Sequence, residues 1–261
     1  MPELLKIGPF RVAVSKVLVQ IIGHGVTRRK SESVLYYYAE KDSDENGVNL
    51  QDLNKHYVPT GERRMVSDQV FFSNYRPEPL FYYNKVKPAI DAVEAGMAKA
   101  EKHLQNAAYD KAEREYKHVL GFHESNVRAI FGLGIAYLQG DKSEEASVIF
   151  EKIMLLEIGF TEEHKHLFNE FGICMRKKGM FECALQYYYK ALRYGGEKDE
   201  HLLFNVGRLH FDMSSFDEAV QAFEKALNLN PAFAEAERFK VEAYSRLNRR
   251  DPPEDGMSTP A

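Results

Sequence analysis

The sequence predicts a mainly helical chain: an α-solenoid of four stacked helix pairs with a capping helix, preceded by a small antiparallel β module. Three observations lead there. From about residue 93 small, large apolar and alanine positions recur in step. Before that, apolar residues come in short β-branched and aromatic runs between turn signals. Between the two regimes lies Arg76-Pro77-Glu78-Pro79, a proline-rich break.

Composition sets outer bounds. A chain of 261 residues with 44% hydrophobic and 28% charged content can bury a full core. Its net charge of -4 provides no general attraction to nucleic acid or anionic membrane. Cys174 and Cys183 are too few for a disulfide framework or a zinc site, which fits a reducing compartment. The apolar run Val17 to Ile22 is short, is preceded by Arg11 and Lys16, and lacks a small-residue cleavage site. It therefore reads as neither a signal peptide nor a membrane span, and the expected location is cytoplasmic.

In the first 88 residues, Lys16 to Ile22, Ser33 to Ala39, Val48 to Leu53 and Arg63 to Val66 read as strands of a meander. Asn46-Gly47 and Pro59-Thr60-Gly61 mark turns. Ser67 to Tyr75 reads as a helix, with Ser67 at its N-cap and Asp68 in the first turn. Leu80-Phe81-Tyr82-Tyr83 is an aromatic patch expected to pack the β module onto the helices, and Pro88 is expected to open the first long helix.

The repeat has a fixed anatomy. Ile130, Leu133, Gly134, Tyr137, Ala146 and Phe150 form one copy; Phe168, Phe171, Gly172, Met175, Ala184 and Tyr188 the next. Leu203, Val206, Gly207, His210, Ala219, Phe223 and Pro231 form a third, and Ala100, His103, Ala112 and Tyr116 a weaker first copy. The alanines Ala112, Ala146, Ala184 and Ala219 stand 34, 38 and 35 residues apart. Small residues on both helices of a pair let the backbones approach, and the large residues fill the flanks. One pair cannot bury its apolar face alone, so neighbours must stack. The expected organisation is a β-rich module over residues 1–88 and an array over 89–249. Its repeats fall at about 93–126, 127–160, 165–199 and 200–233, with a capping helix at 234–247 and a disordered tail at 250–261. The long interval of 38 places extra residues around Ile158 to His164, so the third repeat's first helix is expected to start about a turn early, near Thr161.

These residues resemble the tetratricopeptide-repeat pattern over some 160 residues. The complete chain is also similar to uncharacterised bacterial proteins of this type with a small β-rich N-terminal segment. The resemblance implies that the first (A) helix of each pair lines a groove for a partner peptide. By the family's register the groove positions are Met97, Glu101 and Leu104, then Arg128, Phe131, Ile135 and Leu138. His166, Asn169, Ile173 and Arg176 follow, then His201, Phe204, Arg208 and Phe211. An apolar floor with several cations implies a protein partner: an extended peptide or a helix with apolar anchors and some acidic residues. The lysine and asparagine set that grips chaperone tails in some relatives is not matched. Starting from the first repeat its positions hold Met97, Glu101, Gly132, His166 and Glu170; starting from the third, only Asn205 fits. The groove resembles that of three-repeat secretion chaperones more closely. The implied role is a scaffold, adaptor or chaperone-like module.

Other signals point elsewhere. Asp42 to Gly47 matches half a calcium loop, but Leu53 stands where the closing glutamate belongs, so a polar turn is the simpler reading. Gly132-Leu133-Gly134 lies inside a repeat helix and lacks the third glycine of a dinucleotide loop. Glu163, His166 and Glu170 share a helix face without further ligands. No nucleophile elbow, phosphate loop or paired carboxylates occur, so neither an enzyme nor a cofactor is expected. The alternative is a nucleic-acid-binding regulator that uses Arg28, Arg29 and Lys30 with Tyr36, Tyr37 and Tyr38, a reading the acidic net charge disfavours.

Overall fold

The computed structural model describes residues 8–22, 24, 28–43, 45–156, 164–195 and 199–249. The chain forms two compact units, Met1–His103 with Arg114–Asn126, and Leu104–Glu113 with Val127–Ala261. The expected tail at 250–261 and the early start near Thr161 lie outside the described residues.

The first unit is built on a five-stranded antiparallel sheet in the order β4-β3-β2-β1-β5. Its strands are β1 (Phe10–Ile22), β2 (Arg29–Lys41), β3 (Val48–Leu53), β4 (Pro59–Val66) and β5 (Arg76–Pro77). β1 and β2 pair along their whole length, from Phe10 opposite Lys41 to Ile22 opposite Arg29. Both extend beyond the apolar runs that announced them. The reason is that Arg11 and Glu40 face each other in register and form a 2.5 Å ion pair, so these charges sit inside the strands instead of ending them.

Alternation sends two apolar sets to opposite faces. On one face Val14, Ala39, Val48 and Leu50 bury Phe71 of α1 (Asp68–Asn74), the helix capped by Ser67 as expected. On the other, Ala13 and Tyr38 pack against Tyr82 and Val86. The aromatic patch thus grips the sheet: the Phe81 ring lies 4.6 Å from Tyr36 and 5.5 Å from Tyr57.

Two local features differ from expectation. The proline-rich break contains a short strand, β5, in which Pro77 lies opposite Val14 on the sheet edge, where no N–H is needed. The next residue resumes the ladder, Glu78 N–H donating to the Ala13 carbonyl at 2.8 Å. Nor does Pro88 open the long helix. Helical backbone begins with α2 (Pro79–Phe81), widens into a π-turn at Tyr82–Val86 and continues as α3 (Lys87–Gln105). Pro88 has no N–H for the carbonyl four residues back, and its ring would crowd that carbonyl in a regular α-helix. The wider turn, with Lys87 N–H on the Tyr82 carbonyl, carries the chain through.

α3 pairs with α4 (Tyr109–Phe122), where a Cβ on Gly96 would stand 2.8 Å from Val119. The β3–β4 turn ties to the end of α4: Asn54 Nδ2 donates to the Phe122 carbonyl at 2.7 Å, and the His56 ring lies 5.3 Å from Phe122.

The second unit continues the helix pairs as α5 (Val127–Gln139), α6 (Ser143–Leu155), α7 (Lys165–Lys177), α8 (Phe181–Gly195), α9 (Glu200–Asp212), α10 (Phe216–Leu229) and the capping α11 (Ala234–Asn248). Contacts between the helices of a pair depend on missing side chains. A Cβ on Gly172 would stand 2.6 Å from the Tyr188 ring, and one on Gly207 2.5 Å from Phe223. Gly134 receives Phe171 of the next repeat at 2.6 Å from such a Cβ, which locks one pair to another. Ala112, Ala146, Ala184 and Ala219 are all buried.

The turns inside the pairs share a second device. Ala107, Asp141, Gly179 and Ser214 all adopt positive φ, at the same intervals as the alanines. A left-handed residue is how a helix end satisfies its last carbonyls while the chain reverses. Only one of these residues is glycine, so the others hold a conformation that their Cβ disfavours.

His210 takes the aromatic position of its repeat. It is buried, its Nε2 lies 3.3 Å from the Tyr189 hydroxyl, and its Nδ1 has no partner. Burial holds its pKa below the usual 6.5, with Glu218 opposing weakly.

Three outcomes follow. Gly172→Ala or Gly207→Ala forces a buried aromatic ring to move and should cost about 1–3 kcal/mol in urea unfolding. Ala107→Gly, at a left-handed position, should instead stabilise by roughly 0.5–1 kcal/mol. Neutral His210 is favoured in the fold, whereas the unfolded chain takes up the proton near pH 6.5. Stability contributed above that value is therefore lost as pH falls below it. Urea titrations at stepped pH should show a smaller acid loss in His210→Gln. His123, also held neutral by burial, keeps its own contribution in both proteins.

Candidate functional site

The A helices of the second unit present the residues expected to line a groove, and the structure sorts them into three groups. Phe131, Ile135 and Leu138 on α5 are fully buried, with the Phe131 ring 5.9 Å from Phe171, so they belong to the core between repeats. Arg128, His166 and His201 are exposed, the last beside Phe233 at 5.1 Å. Asn169, Ile173, Arg176, Phe204, Arg208 and Phe211 are half-buried on α7 and α9, and most of these come together.

Their meeting follows from repeat length. Residues one repeat apart occupy equivalent turns of neighbouring A helices. Asn205 Nδ2 accordingly donates to Asn169 Oδ1 at 3.4 Å, and Arg176 forms a short ion pair with Asp212. Between α5 and α7, Gln139 Nε2 reaches the Cys174 sulfur at 3.8 Å, where burial pushes the thiol pKa up.

The capping helix supplies what the groove positions alone did not reveal. Phe239 of α11 lies 5.9 Å from Phe204 and 5.7 Å from Phe211. The Arg208 guanidinium stacks 3.8 Å from the Phe239 centroid, and Arg238 stands 5.3 Å from the same ring. Aromatic faces hold a cation without neutralising it. Burial, and after it the Arg176 charge, pushes the Arg208 pKa down, while Asp212 and Glu235 oppose. The Nε atoms of Arg176 and Arg208 are buried without an acceptor. Three guanidiniums thus share two carboxylates, a local excess of positive charge on partly desolvated forks. Such forks recognise carboxylates by paired N–H bonds.

Asp212 and Phe239 were missed as site residues because the register of single A helices names neither. A charge pair one repeat length apart, Arg176 with Asp212, is the sequence signal that could have found the first. The second needed the docking of the cap.

The remaining signals resolve locally. In the Asp42–Gly47 turn, buried Lys41 donates to the Glu45 and Gly47 carbonyls at 3.2 and 3.3 Å and to Asp68 at 2.8 Å, so these oxygens face an ammonium. Asp44 and Glu163 lie outside the described residues, among which no group of three potential metal ligands occurs. Of the three consecutive tyrosines, Tyr38 is buried and Tyr37 packs edge-on to Tyr75 at 5.7 Å, leaving Tyr36 exposed. Among the described residues no helix is long and apolar enough to cross a membrane.

Comparison with known proteins agrees with the repeat register. The family model described as tetratricopeptide repeat matches residues 201–233, which covers α9 and α10. Tetratricopeptide repeat protein 8 of Caenorhabditis elegans is 26% identical over 142 residues, 54% of this chain and 27% of its own length. A TPR repeat-containing protein of Methanocaldococcus jannaschii is 26% identical over 175 residues, 63% of this chain and 30% of its own. The chain therefore spans less than a third of either relative. Among solved structures, MamA is similar at a TM-score of 0.46 and 18% identity, over 63% of this chain and 89% of that one. YrrB, titled a TPR protein with an unusual peptide-binding site, is similar at 0.43 and 24%, over 58% of this chain and 76% of that one. Likeness at that level adds nothing to the assignment, which rests on the matched repeat and on the glycine, alanine and aromatic positions that recur through α5 to α10. The second unit thus carries a tetratricopeptide repeat at residues 201–233, and the same small and aromatic positions recur in the helix pairs before it.

Proposed function

We propose that the protein is an interaction module whose partner is a polypeptide segment bound across α7 and α9, with a carboxylate of that segment held by Arg176 and Arg208. The observation that carries this reading is the pair of partly buried guanidiniums, each with an Nε lacking an acceptor, beside one shared carboxylate, Asp212. Structural ion pairs are normally balanced, because an unmatched buried charge is costly. An uneven set at a half-exposed face suits an anion brought by something else.

The flanking chemistry supports an extended or helical peptide. Asn169 and Asn205 offer amides that can bond a backbone, and Ile173, Phe204 and Phe211 offer half-buried apolar surface for an anchor. Arg128, His166 and His201 are exposed where they can meet further acidic side chains. Phe131, Ile135 and Leu138 act through packing and hold α5 against its neighbour. An adaptor or chaperone-like role in a cytoplasm is the setting this chemistry fits.

Selection of random peptides displayed on phage against the intact protein tests the reading. Sequences with an acidic residue next to a bulky apolar one should be enriched. The double variant Arg176→Gln/Arg208→Gln should lose them, with affinity for a selected peptide falling about 10- to 100-fold, in line with loss of charge-assisted bonds. Enrichment that is neutral, or binding untouched in the double variant with its thermal unfolding unchanged, would sink the arginine site.

A further inference from the structure

β1 and β2 run well past the rest of their sheet. β3 pairs with β2 only between Tyr37 and Glu40, and β5 pairs with β1 only at Val14 and Ser15. Among the described residues, Lys16–Ile22 and Arg29–Tyr36 therefore form a two-stranded ribbon with a free edge on each side. Its apolar side chains are uncovered: Val17 is 42% exposed, Val19 52%, Ile21 68% and Val34 49%. An isolated two-stranded ribbon is marginal in water, and a long β-branched edge without proline, bulge or charge invites another strand.

The two edges differ. The β2 edge carries Arg29, Lys30, Glu32 and serines at 31 and 33, the composition that discourages pairing. The β1 edge from Val17 to Ile22 has no charged residue. Its hydrogen-bonding phase is also fixed. The Ala13 carbonyl points to the outer edge, where it accepts from Glu78, and backbone direction alternates along a strand. Val17, Val19 and Ile21 consequently aim both their N–H and C=O groups outward, at nothing described. Their side chains lie on the same face as Val34 and Tyr36, which pair with Val17 and Ser15.

We infer that this edge pairs antiparallel with the same edge of a second copy of the chain, about a two-fold axis through Val19. The sequence is self-complementary in that register. Val19 faces Val19 of the second copy, Val17 faces its Ile21, and Lys16 faces its Ile22, so no like charges oppose. Each outward-facing residue makes both of its backbone bonds. The Val17, Val19 and Ile21 side chains of the two copies form one continuous apolar row, flanked by Val34 from each. The resulting ten-stranded sheet replaces none of the existing pairing, because β5 pairs with β1 only at Val14 and Ser15. The surface is separate from the arginine site on α7 and α9 and stands or falls independently of it.

Sedimentation velocity of the intact protein tests this. The wild type should dimerise, and Val19→Lys, which sets like charges against each other on the axis, should weaken the dimer at least about tenfold. Val17→Lys with Ile21→Glu sets opposite charges face to face and should retain the dimer. Val17→Lys with Ile21→Lys should abolish it. All three positions are exposed, and circular dichroism checks that each variant is folded. In the wild type, amide-exchange protection of Val17, Val19 and Ile21 should rise with protein concentration. A wild type that stays monomeric at about 100 μM, well above typical dissociation constants of specific interfaces, overturns the proposal. So does a dimer indifferent to Val19→Lys, or one in which the two double variants behave alike. Salt-sensitive heparin retention by a monomeric wild type, lost in Arg29→Gln/Lys30→Gln, would assign the ribbon to nucleic acid instead.

Discussion

The helical array depends on a close approach of backbone to aromatic ring. At Gly172 and Gly207 the ring of the paired helix occupies the space a methyl group would need, and at Gly134 a ring from the next repeat does so. Dispersion falls steeply with distance, so a gap of half an ångström across these contacts would forfeit much of their attraction. The buried rings Tyr188, Phe223 and Phe171 supply large apolar area, and the glycines let that area meet backbone. Everything on the A-helix face inherits its spacing from this contact. Arg176 reaches Asp212, and Asn205 reaches Asn169, because the helices carrying them are held at that separation.

The first unit solves a different problem with similar economy. A sheet of five strands must cover two faces, and short stretches of chain supply both covers: Phe71 on one side, Tyr82 and Val86 on the other. The covers are local in sequence to the last strand. β5, α1 and the start of the long helix lie within about twenty residues of one another, so closing the sheet requires little loop entropy beyond forming the hairpins. Among the described residues, no further strand pairs with the ribbon beyond these covers.

Much of this was legible in the residue order. Periodic glycines, alanines and aromatics gave the helix pairs, since each marks a contact that recurs with the repeat. Ser67 at a cap was readable because its role is local. Reading failed where the outcome depended on distant chain. Phe131, Ile135 and Leu138 stand at family groove positions, yet their surroundings bury them completely. Phe239 became part of the arginine cluster only through the docking of α11 on α9. The first two strands, expected at Lys16 to Ile22 and Ser33 to Ala39, run longer because Arg11 faces Glu40, a pairing that a single sequence does not reveal. The edge of β1 was visible as an apolar run, but its being unpaired is a property of the sheet.

The π-turn at Tyr82–Val86 carries a consequence for phase. Tyr82, Val86 and Ile90 point at the sheet, whereas Val93, Met97 and Ala100 are buried further along the same helix. Each residue of an α-helix advances the side-chain direction by about 100°, so one residue too many in a turn rotates all that follows by that angle. The wide turn absorbs such a residue and acts as a fixed angular offset between the stripe that holds the sheet and the stripe that begins the repeats. Deleting a single residue there would leave both stripes chemically intact but aim them along directions that no longer agree.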